Sequence, residues 1–106
     1  MKTPIKGVSL ARELSQRAKQ GSAKDVDRIM EHLHTDHSLA EIKAADFALD
    51  FIRSEEGTDC IRRYLFSGTG MQRNYSANYF RRRGMRSLLL QAWEQGAIDE
   101  IQAFCR

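Results

Sequence analysis

Proline is almost missing from this chain of 106 residues: the one proline, Pro4, lies near the N-terminus. A proline-free run of this length with few β-branched stretches favours helix. No clear apolar–polar alternation of strand type appears. Cysteine is scarce too. Cys60 and Cys105 are too few for a disulfide framework and read as reduced, core-facing residues. No window approaches the ~18 consecutive apolar residues of a membrane span. Met1 to Lys6 is basic but lacks the apolar run of a secretory signal, so cytoplasmic residence without a membrane partner is expected. Histidine occurs at three positions only, 32, 34 and 37, and none is near Cys60 in sequence. Nucleophilic catalysis therefore finds no support, and the chain reads as no enzyme, with no catalytic residues and no cofactor.

What is present suits a small helical protein. Hydrophobic residues make up 42% and charged residues 29%, enough for both a core and a wet surface. The length fits a single helical domain over residues 9–106, after a flexible tail over 1–8. Net charge is only +3, but it is laid out in blocks. Residues 25–59 carry three basic and ten acidic residues; residues 60–93 carry seven arginines and no acid. Such blocks pair within a fold or face an outside partner.

Capping signals and apolar periodicity divide the chain into six or seven mostly short helices. Ser9 opens the first, and Gly21 ends it. Ser22 to Asp25 has capping-box spacing, and Val26, Ile29, Met30 and Leu33 follow at helical spacing. Ser38 to Glu41 is a second capping box. It opens what reads as the longest and most central helix, to about Arg53, with two apolar stripes that include Phe47, Leu49 and Phe51. Thr58 is a candidate cap for a helix holding Ile61, Tyr64 and Leu65. Gly70 to Arg83, then Met85 to Trp93, then a segment from about Ala97 complete the set. Phe47, Leu49, Phe51, Leu65, Leu89 and Trp93 are the expected core. Short helix pairs joined by tight turns resemble the HEAT and armadillo class of α-helical repeat. The resemblance lies in helix lengths and turns, and implies an all-α fold of stacked antiparallel pairs. An irregular helical bundle is the alternative.

Two motifs bear on chemistry. His32-Leu33-His34-Thr35-Asp36-His37 matches H-x-H-x-D-H and so resembles the metal-binding motif of the metallo-β-lactamase family. In that family the motif follows a strand of a larger α/β sandwich, and distant His and Asp residues complete a two-metal site. Here it follows an amphipathic helix and contains every histidine in the chain, so the match is read as coincidental. A lone zinc on His34, Asp36 and His37 is set against histidines that solvate a helix end. No metal is expected. Gly68-Thr69-Gly70 lacks the lysine and spacing of a phosphate loop and reads as a helix–helix turn.

The segment Gly70 to Gly84 holds the densest aromatic and arginine clusters. At helical spacing Met71, Tyr75 and Tyr79 share a face, with arginines at its edges. One reading is a buried helix whose arginine stems cover apolar neighbours and whose heads pair with the acidic block. The functional reading makes Arg73, Tyr75, Tyr79, Arg81, Arg82, Arg83 and Arg86 a binding surface. Tyrosine and arginine anchor protein interfaces. They also serve nucleic acid, with arginine on phosphate and tyrosine on bases. The expected function is a non-catalytic interaction module for a protein partner; nucleic-acid binding through residues 70–86 is the alternative.

Overall fold

The computed structural model describes residues 6–104. Within them the fold is all-α, with seven helices and no strand among the described residues. No described helix is long and apolar enough to cross a membrane. The expected tail falls partly on residues 1–5, outside the described residues, as does Cys105. Helix α1 (Lys6–Gln20) begins three residues before Ser9. The chain divides into two compact units, one ending at Cys60 and the other beginning at Ile61.

The first unit holds α1, α2 (Ala23–Met30), α3 (Leu39–Leu49) and the start of α4 (Glu55–Ser67). Helix α1 packs chiefly on α3, and both touch α2. Leu14 and Ala18 from α1, Val26, Ile29 and Met30 from α2, and Ile42, Ala45, Ala48 and Leu49 from α3 are buried, together with Leu33 and Ile52 in the connections. The α1–α2 turn follows its sequence. Gly21 takes φ +71, a backbone region open to glycine at little cost. Ser22 and Asp25 then form a complete capping box.

Three expectations for this unit need correction. Helix α3 has 11 residues against 15 in α1, so it is not the longest. After Leu49 the chain tightens into i to i+3 bonds, from Asp50 to Phe47 and from Ile52 to Leu49. Phe47 is not core but 56% exposed. At ~100° per residue it falls roughly 60° outside the buried arc from Ala44 to Ile42, so it meets Phe51 edge-on at the surface instead. Thr58 is not a cap. Helix α4 starts three residues earlier, where the Ser54 hydroxyl accepts from the Gly57 amide.

Gly57 is where this unit is tightest. A Cβ there would lie 2.7 Å from Ile52 Cγ2 and 2.9 Å from the Gly21 carbonyl. One turn further, Cys60 is buried, with its sulfur 3.7 Å from the Ala23 carbonyl oxygen.

The second unit holds the rest of α4, α5 (Gly70–Arg82), α6 (Arg86–Glu94) and α7 (Glu100–Phe104). Helices α5, α6 and α7 touch one another pairwise. Leu65, Ala77, Tyr79, Phe80, Leu89, Ala92 and Ile98 are buried. Thr69 and Gln72 form a capping box that opens α5, so Gly68-Thr69-Gly70 is a turn with its helix start satisfied. Helix α5 closes with Gly84 at φ +70, the Gly84 amide donating to Arg81 and the Met85 amide to Phe80. Gly96 repeats that pattern after α6, through bonds to Trp93 and Ala92. Trp93, expected in the core, is 39% exposed.

Candidate functional site

Helix α5 buries Ser76, Ala77, Tyr79 and Phe80. Tyr79 is 1% exposed, unlike Met71 and Tyr75, with which its spacing groups it on one face. Those two residues are half-buried. The buried arc is centred near Ser76 and Phe80, and Tyr79, one position before Phe80, falls inside it. Tyr79 meets Phe80 edge-on, and the Arg83 guanidinium lies 3.6 Å from the Tyr79 ring centroid. A base cannot stack on a ring so placed.

The arginines divide into two groups. Arg73, Arg81 and Arg83 are half-buried and bonded within the unit. Arg73 donates to the Gly68 carbonyl at 3.3 Å and Arg83 to the Tyr79 carbonyl at 3.4 Å. Arg81 donates to the Gln102 carbonyl at 2.6 Å and to the Asn78 side-chain oxygen, so it ties α5 to α7. All these acceptors are backbone or amide oxygens rather than carboxylates. The heads complete helix ends, at Gly68 after α4, Tyr79 in the last turn of α5 and Gln102 in α7. Arg82 and Arg86 are exposed.

These two, with Arg81, edge an open groove of about 950 Å³ among α5, α6 and α7. Met85, Leu89, Leu90, Ala103 and Phe104 line it. Of these Met85, Leu90 and Phe104 are exposed, and Phe104 packs edge-on against Trp93 at 5.3 Å. Met85 follows directly on the Gly84 turn. Helix α7 is set by Asp99 and Gln102, each accepting the other's backbone amide. That capping pair is legible in the sequence and places the helix start at Glu100 rather than near Ala97. Sequence reasoning missed the groove because helical periodicity gives the apolar positions of one helix and not which of them the neighbouring helices leave uncovered.

Comparison with protein-family models, with curated proteins and with solved structures finds no match. The reading of this surface rests on its own chemistry.

The histidine motif does not assemble as its spacing suggests. His34 and Asp36 are both exposed, with the imidazole Nδ1 3.5 Å from the carboxylate. His37 turns the other way, its Nδ1 2.7 Å from Glu41 Oε2. Ser38 caps α3, its hydroxyl accepting from the Glu41 amide. The Glu41 carboxylate meets His37 Nδ1 at 2.7 Å and accepts from the Ser38 hydroxyl.

Proposed function

We propose that this chain is a non-catalytic helical interaction module that binds a protein partner in the α5–α7 groove. In the same reading its helix pairs belong with the HEAT and armadillo class, and it works in the cytoplasm. The observation that carries the proposal is the open apolar lining of Met85, Leu90 and Phe104 beside the exposed Arg82 and Arg86. The partner that fits is an amphipathic segment with apolar anchors flanked by Asp or Glu. The anchors fill the groove, and the carboxylates meet guanidinium forks. Nucleic acid fits less well. Tyr79 is core, Arg83 lies over its ring, and Arg73 and Arg81 are held by carbonyl oxygens.

The test is selection from a displayed random-peptide library against the full chain. Enriched sequences should pair large apolar residues with acidic neighbours. Their binding should fall sharply in Leu90→Ser and Phe104→Ser, fall mildly in Arg82→Ala with Arg86→Ala, and show shallow salt dependence. Selected peptides without acidic bias, or binding untouched by Leu90→Ser and Phe104→Ser, would overturn the proposal. Duplex DNA or RNA binding that falls with a log–log salt slope of about −0.9 per phosphate contact, lost in the double arginine variant, would put nucleic acid first.

A further inference from the structure

We propose that His32, His37 and Glu41 form a single-ion binding site for a borderline divalent cation, zinc foremost, at the junction of α2 and α3. Among the described residues these three offer ligand atoms that all lie within 4.8 Å of one another. Glu41 Oε2 is shared: His37 Nδ1 is 2.7 Å from it and His32 Nδ1 3.9 Å from it. The two imidazoles face each other at 5.3 Å between ring centroids.

A second observation points to a ligand. His32 Nδ1 is buried and has no hydrogen-bond partner. A buried ring nitrogen left unbonded is costly, and an ion is one of the groups that resolve such cases. It stands beside a carboxylate that already holds the other histidine. Glu41 Oε1 accepts from the Ser38 hydroxyl at 3.3 Å, the kind of outer bond that orients a ligating carboxylate.

The two Glu41 contacts need little change, and the imidazole nitrogens, which lie within 4.8 Å of each other, must close by up to about 1.5 Å. Four-coordinate zinc with arms of ~2.0 Å holds its ligand atoms roughly 3.3 Å apart. The His37–Glu41 contact must open by about half an ångström and the His32–Glu41 contact must close by a similar amount. Two imidazoles and one carboxylate make a donor set suited to zinc and its neighbours rather than to magnesium or calcium. Three protein ligands leave a fourth position for water. The side chains of His32, His37 and Glu41 are 17%, 33% and 18% exposed, so the cluster is sheltered yet reachable.

This set is not the H-x-H-x-D-H set. It omits His34 and Asp36, which face each other at the surface, and takes Glu41 from outside the motif. It also departs from the sequence-based expectation of no metal. Bound there, the ion would clamp the chain leaving α2 to the first turn of α3, and so stabilise the folded state.

The experiment is calorimetric titration of chelator-treated full chain with Zn²⁺ and with Co²⁺. One equivalent should bind, and Co²⁺ should give the visible bands of low coordination. A zinc level about 100-fold above Kd should raise Tm by roughly 10 °C. Glu41→Gln and His37→Asn should each lose at least about tenfold in affinity. His34→Ala, Asp36→Asn and Cys105→Ser should bind as the wild type. Far-UV circular dichroism checks that each variant is folded; if His32→Gln is not, Glu41→Gln and His37→Asn decide. Absence of saturable one-equivalent binding, or binding kept in Glu41→Gln but lost in His34→Ala or Cys105→Ser, would overturn the site.

Discussion

The two units use similar helices to different ends. In the first, apolar side chains are nearly all consumed: Leu39 and Phe47 are its exposed large hydrophobics among the described residues. In the second, Met85, Leu90, Trp93, Ile101 and Phe104 all stand exposed on fewer residues. Charge follows the same line. Residues 1–60 carry nine basic and eleven acidic residues, whereas residues 61–106 carry eight arginines and three acids. One unit spends its apolar residues on its own core, and the other presents them beside a mostly positive charge. Exposed apolar surface gathered in one place marks contact with a partner more often than scattered leucines do.

Neighbouring leucines on α6 give the strongest test of that contrast. Leu89 is buried and Leu90 is not. Leu89→Ala should cost roughly 2–5 kcal/mol in denaturant unfolding, as core truncations do. Leu90→Ala should stay within about 0.5 kcal/mol, typical of surface changes. Equal losses would mean that the groove is part of the core.

Next in size is Gly57→Ala. The new methyl would meet Ile52 and the Gly21 carbonyl, and overpacking of that kind costs roughly 1–3 kcal/mol. Gly70→Ala, in the second unit, meets nothing within 4 Å and should be nearly neutral. A harmless Gly57→Ala would show that the first unit is looser than its contacts imply.

Thr69→Ala removes the acceptor of the Gln72 amide at the start of α5 and should cost about 1 kcal/mol. Smallest is Phe47→Ala, which should cost about 0.5–1.5 kcal/mol through its edge contact with Phe51. A loss near that of Leu89→Ala would return Phe47 to the core.

These cases also show how far the sequence could be read. Helix number, fold class and the Ser22 cap were legible because capping and periodicity are local. Burial of Leu49, Leu65 and Leu89 was legible too, since each falls in the apolar stripe of its helix. Phe47 and Trp93 were not: each is apolar and at helical spacing, and its exposure depends on which arc the neighbouring helices cover. Tyr79 failed in the opposite direction. Its spacing grouped it on one face with Met71 and Tyr75, but it lies in the buried arc centred on Ser76 and Phe80. The arginine cluster was legible as a cluster but not as two groups. Whether a guanidinium reaches Gln102 depends on a helix twenty residues away. For that reason an Arg81, Arg82 and Arg83 triple alanine variant would confound folding with binding, and Arg82 with Arg86 is the cleaner pair.

Every strong ultraviolet chromophore of the chain lies in the second unit. Tyr64, Tyr75, Tyr79 and Trp93 all follow Ile61, and the first unit has only phenylalanine. Trp93 packs on Phe104, and Phe104 lines the groove. Tryptophan emission therefore reports on the second unit alone and should shift when the groove fills, with no label attached. Far-UV circular dichroism reports helix in both units. Unfolding followed by the two signals together separates one cooperative transition from two: superimposed curves mean that the units melt as one, and displaced curves mean that each melts on its own.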